Sequence, residues 1–214
     1  MKRKLLYDIL LFVLVIALLL LVDYPYLNVF LPFVLILIYT YCTEGFKKSL
    51  GFSKPKKTFK LIAVSLSLAV ILNLLSYAIL LPLIEKGTGI PLQIGVFKQV
   101  KNNSTFFLTS LIIGWAVGGL FEETIFRGFM ISKFIEHINP KIGAVLGVIL
   151  SSVFFGYLHS YQGITGQILL VINGFFLAII YLVSKRNLWL NILTHGFINT
   201  ISMIVLYFDL IQFN

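Results

Sequence analysis

The sequence is short of charge and nearly devoid of cysteine. Charged residues fill 12% of its 214 positions, about half of the roughly 25% that a soluble domain carries, which excludes an ordinary soluble globular chain. Cys42 stands alone, so no intramolecular disulfide can form and no thiolate metal cluster can be built. Internal repeats and a separate soluble domain are absent as well. Only eight residues are acidic, against 17 lysines and arginines. That excess does not signal nucleic acid, because the basic residues gather in short segments beside apolar runs. Lys2, Arg3 and Lys4 form one group, Lys47, Lys48, Lys54, Lys56, Lys57 and Lys60 a second, and Lys185 with Arg186 a third. This is the positive-inside bias of membrane proteins.

What the chain has is apolar sequence: 59% of its residues are hydrophobic and the mean hydropathy is +0.99. Runs long enough to cross about 30 Å of hydrocarbon fall at roughly 5–22, 25–43, 60–83, 104–131, 141–159, 165–183 and 189–208. The predicted fold is all-α, a polytopic transmembrane bundle of about seven spans embedded in the lipid bilayer. The first run reads as an uncleaved anchor, since no small-x-small cleavage site precedes Asp23 and Pro25. A cytoplasmic N-terminus makes the 44–60 loop, the 133–141 turn and the Lys185-Arg186 turn cytoplasmic, and it leaves Asp23, the 160–165 turn and Asp209 outside. The lysine-rich loops have a prokaryotic character, which predicts a prokaryotic plasma membrane.

Two linkers break the apolar pattern, 44–60 with Gly51 and Pro55, and 85–103 with Gly87, Gly89, Pro91, Asn102 and Asn103. Leucine, isoleucine, valine and phenylalanine dominate the spans before the second linker. Polar and small residues enter the spans after it. This predicts an N-terminal region over 1–103 and a working core over 104–214, whose four spans enclose a polar intramembrane cavity. Gly114 and Gly118 on the fourth span, and Gly143 and Gly147 on the fifth, have the small-xxx-small spacing of closely packed membrane helices. Contact between those two spans is the expectation.

Inside the fourth run stand Glu122, Glu123 and Arg127. An ionisable group at the centre of a bilayer helix costs at least about 2.5–3.5 kcal/mol, so these three need one another or a polar cavity. Residues four apart share a helix face, so Glu123 can neutralise Arg127 while Glu122 points elsewhere and remains for water or substrate. Phe155 and His159 are again four apart, as are His195 and Asn199. His137 lacks such company and reads as a surface residue. A straight-helix count sets His159 about 27 Å along the fifth span from Lys141, away from Glu122 and His195 near the cytoplasmic half.

In this order and on three spans, Glu122-Glu123-x-x-x-Arg127, Phe155-x-x-x-His159 and His195-x-x-x-Asn199 resemble the CAAX protease and bacteriocin-processing family of intramembrane proteases, also called the Abi family. The resemblance covers roughly 105–205. It implies an intramembrane endopeptidase acting on a membrane-associated peptide or protein, with Glu122 and His159 activating water and His195 and Asn199 stabilising the oxyanion. Glu123, Arg127 and Phe155 would support them. A carboxylate and an imidazole can hold and deprotonate water, and amide and imidazole N–H donors suit developing negative charge. The family is labelled metalloprotease, and Glu122, His159 and His195 can supply three ligands of a catalytic Zn2+; glutamate-activated water without metal uses the same residues. Bacterial relatives imply bacteriocin maturation or self-immunity. Two other classes fit the same polar residues: a non-catalytic membrane scaffold or immunity protein that binds a peptide in the cavity, and an ion or proton relay.

Overall fold

The computed structural model describes residues 2–43, 45–53 and 57–211. Lys54, Pro55 and Lys56 of the first linker lie outside the described residues. The elements are helices: α1 (Lys2–Leu21), α2 (Leu27–Thr43), the short α3 (Phe46–Leu50), α4 (Thr58–Thr88), α5 (Ser104–His137), α6 (Pro140–Tyr157), α7 (Gly163–Val183) and α8 (Leu188–Tyr207). No strand occurs among the described residues.

Local signals fix the helix ends. Asn103 accepts a hydrogen bond from Phe106 N at 3.2 Å and opens α5, while Asn139 accepts one from Lys141 N at 3.1 Å and opens α6, with Pro140 at the first helical position. Both asparagines satisfy N–H groups that the first helical turn leaves without partners. Gly89, at φ +68°, closes α4 in the left-handed conformation that favours glycine.

Among the described residues six helices are long and apolar enough to cross a membrane, and α2, at 17 residues, is a shorter apolar helix. Their contacts decide whether α2 also crosses. α8 runs antiparallel to α5, pairing Gly128 with Leu188 and Gly114 with Asn199, and parallel to α4, pairing Ser65 with Leu190 and Tyr77 with Ser202. α1 is antiparallel to α5, with Asp8 meeting Lys133 and Phe12 meeting Phe129. Hence α1 and α4 point the same way, which requires α2 to return the chain across the bilayer between them. At 1.5 Å per residue its length is about 26 Å, close to the hydrocarbon thickness. The described residues form an integral membrane bundle of about seven spans.

Leucines, isoleucines and valines that stay exposed, such as Leu21, Ile112 and Val183, form the apolar surface that a bilayer covers. One apolar core runs from Leu11 and Val15 of α1 through Phe126 and Ile131 of α5 to Ile192 of α8.

Two expectations are corrected. Gly143 and Gly147 do seat α6 on α5, where a Cβ would lie 2.3 Å from Phe134 O and 3.1 Å from Ile131 Cα. Gly114 and Gly118, however, face α8, because the small-residue spacing marks a close approach without naming the partner. His137 is at the surface as expected, but it does not lack company. Its Nε2 lies 2.8 Å from Asp8 Oδ2, and Lys133 Nζ is 2.9 Å from both Asp8 Oδ1 and Glu136 Oε2. A carboxylate buried on α1 explains the cluster, since it needs compensating charge.

Candidate active site

α5 leaves the ordinary α pattern over Gly114–Glu122 and Thr124–Ile131, where its hydrogen bonds close at i→i+5. Such widened turns accompany functional sites in many helices. On this stretch Glu123 is fully buried. Arg127 donates to it from Nη1 at 2.8 Å, the pairing expected from the i,i+4 spacing. Arg127 also donates from Nη2 to Gly174 O at 3.0 Å and stacks over the Phe155 ring at 4.8 Å. Each charge therefore has both an opposite charge and further polar contacts, which is the condition for burying an ion pair.

The second partner of Glu123 lies on α8. Its Oε1 is 2.7 Å from His195 Nδ1, and Asn191 Nδ2 donates to its Oε2 at 3.2 Å. A carboxylate on Nδ1 holds the proton there and leaves the Nε2 lone pair free. That atom sits 4.0 Å from Glu122 Oε2. The gap is too long for a direct hydrogen bond, yet one water oxygen fits within about 2.8 Å of both groups. Asn191 was missed in the sequence although it continues the same four-residue spacing, Asn191, His195, Asn199. That regularity was the available signal.

Asn199 donates from Nδ2 to Gly114 O at 2.9 Å. Gly118 permits the assembly: a Cβ there would stand 2.4 Å from Asn199 Nδ2 and 3.3 Å from His195 Nε2. Gly118→Ala should accordingly lower turnover about tenfold or more while expression and helix content stay near wild type. Wild-type turnover in that variant would remove Asn199 and His195 from the working geometry.

His159 lies just beyond α6, with Nδ1 2.7 Å from Phe155 O and its ring between Phe155 at 4.6 Å and Tyr161 at 5.6 Å. The Phe155 ring also meets His195, with 6.0 Å between the ring centroids. The 27 Å count is nevertheless no obstacle. α5 and α6 form an antiparallel hairpin, and Glu122 stands eighteen residues before Pro140 while His159 stands nineteen after it. Both are equally far from the turn, so both reach the same depth. The structure thus brings Glu122, His195 and Asn199 together and sets His159 against Phe155, the ring that also meets His195.

Two histidines tethered through Nδ1 to a carboxylate and a carbonyl are suitable in kind as zinc ligands. Their ligand atoms are not gathered around one point in this conformation. Three ligands at about 2.0–2.2 Å from one ion must lie close together, and among the described residues only Asp8, Glu136 and His137 bring three ligand atoms within 4.8 Å of one another. No step below runs through a metal.

Residues 104–201, a little under half of the chain, match the model of the family described as type II CAAX prenyl endopeptidase Rce1-like. The resemblance read from the three motifs is borne out over those residues. A protein of Mycoplasma capricolum subsp. capricolum, described as an uncharacterized protein, is 27% identical over 173 residues, covering 72% of this chain and 48% of the relative. The chain spans about half the length of that curated relative. No solved structure matches it.

Proposed function

From the family match over 104–201 and the meeting of α5 with α8, we propose that this protein is an intramembrane endopeptidase that hydrolyses a peptide bond in a membrane-associated protein or peptide. The observation that carries the reading is the 4.0 Å gap between Glu122 Oε2 and His195 Nε2, with the buried Glu123 orienting the imidazole from behind. A water in that gap gives a proton to Glu122 or His195 as its oxygen attacks the peptide carbonyl carbon. The same pair returns the proton to the leaving nitrogen as the C–N bond breaks. A carboxylate and an amine result. The remaining N–H of Asn199 Nδ2 is available to the oxyanion, and His159, against Phe155 at the end of α6, is the group we assign to the substrate chain. Bacteriocin maturation and self-immunity both call for a substrate of this class.

The test is cleavage of membrane-anchored peptides by the purified protein in lipid vesicles, with new termini read by mass spectrometry. Defined cleavage products support the reading. Intact peptides across a diverse set, with tight binding retained, would favour a scaffold instead.

The basic loops support a cytoplasmic N-terminus. In a Cys42→Ser background, Lys57→Cys should label only after the membrane is opened, whereas Asp209→Cys should label on intact cells. The reverse pattern would invert the orientation.

A further inference from the structure

α4 lies outside the matched residues, and its sequence reads as a plain apolar span, yet it forms one wall of the cavity into which His195 and Asn199 open. The cavity holds about 140 Å³, and its polar lining comprises Asn73, Ser76 and Tyr77 of α4, Gln162 just before α7, Asn173 of α7, and His195, Asn199 and Ser202 of α8. α4 widens to i→i+5 hydrogen bonding over Ser76–Leu80, where this lining begins. Leucine, isoleucine, phenylalanine and methionine side chains complete the walls.

The polar groups are tied into a frame. Ser76 Oγ donates to Asn173 Oδ1 at 3.0 Å, Tyr77 OH to Ser202 Oγ at 2.9 Å, and Ser202 Oγ to Asn73 Oδ1 at 3.2 Å. One end of the Asn173 amide and the carbonyl oxygen of Asn199 have no protein partner among the described residues. With His195 Nε2 they offer a donor and acceptors to water or a ligand in the cavity. The lining carries no formal charge apart from the imidazole, so nothing in it compensates a charged guest.

Size narrows the guest further. A cavity of about 150 Å³ holds one benzene-sized molecule, so the space here suits a single side chain. We propose that the cavity is the side-chain subsite of the endopeptidase, and that it selects an uncharged, hydrogen-bonding side chain of glutamine or tyrosine size beside the scissile bond. The assignment rests on the endopeptidase reading for its role and on the cavity alone for its ligand.

Two measurements keep those apart. In the first, the Glu122→Gln protein in detergent is titrated with N-acetyl-glutaminamide, N-acetyl-tyrosinamide and N-acetyl-lysinamide. The first two should bind saturably and the third should not. Asn173→Leu should weaken glutaminamide binding about tenfold, and Ser202→Phe, which fills the space, should abolish it. In the second, the active protein is given membrane-anchored peptides that differ only beside the scissile bond. Glutamine and tyrosine peptides should be cut and lysine and S-farnesyl-cysteine peptides spared, and Asn173→Leu should raise KM for the glutamine peptide with kcat near wild type. Equal binding of all three amides, binding untouched by both variants, or preference for the farnesylated peptide would overturn the subsite. Selective binding without cleavage of any peptide leaves the subsite standing and defeats the endopeptidase reading.

Discussion

Glu122→Gln should reduce kcat by about 10²–10⁴-fold, the range set by loss of a positioned general base, with the helical fold and detergent stability unchanged. Glutamine matches glutamate in shape, and Glu122 makes no ion pair with Arg127 in this structure, so little structural consequence is expected. What disappears is the capacity to take a proton from the water shared with His195. KM should change less than kcat, because the lost interaction acts on the attacking water rather than on the bound chain. Wild-type turnover by Glu122→Gln, together with a dead Glu123→Gln, would reverse the assignment of the two carboxylates.

The second large effect falls on the fold. Arg127 and Glu123 are sealed from solvent, and removing one partner of a buried pair leaves an uncompensated charge, at about 3–5 kcal/mol. Arg127→Met should therefore lower thermal stability sharply in detergent, with expression falling alongside. Adding Glu123→Gln should recover most of that loss, since the two groups are coupled and the orphan charge is gone. Activity should not return with it. The acceptor that fixes His195 Nδ1 has been exchanged for a neutral amide, and the imidazole no longer has its tautomer imposed. A double variant as unstable as the single one would mean that the stabilisation lies in Arg127 contacts with Gly174 and Phe155 instead.

The seven spans were legible because each is a long apolar run bounded by charge or glycine, and the i,i+4 rule was enough to pair Glu123 with Arg127. It was not enough to reveal that Glu123 has three partners, since two of them, His195 and Asn191, arrive from a helix some seventy residues later. Helix periodicity states which residues share a face and is silent on what that face meets. The same limit sent Gly114 and Gly118 to the wrong neighbour and left His137 without its Asp8. His159 looked remote because depth was counted from one end of one helix, whereas a hairpin sets equal distances from the turn side by side. Asn73 and Ser76 escaped notice because two small polar residues scarcely alter the hydropathy of a span. Their importance appears only when α7 and α8 turn the same polar groups toward them.

The central claim is that Glu122 and His195 act on one water. A double-mutant cycle in kcat for peptide cleavage, using Glu122→Gln, His195→Gln and the double variant in lipid vesicles, tests it most directly. Residues that act as a unit are strongly non-additive, so the double variant should be no slower than the worse single variant, at a residual rate common to all three. Independent, multiplicative losses would contradict the claim and separate the two groups into different steps.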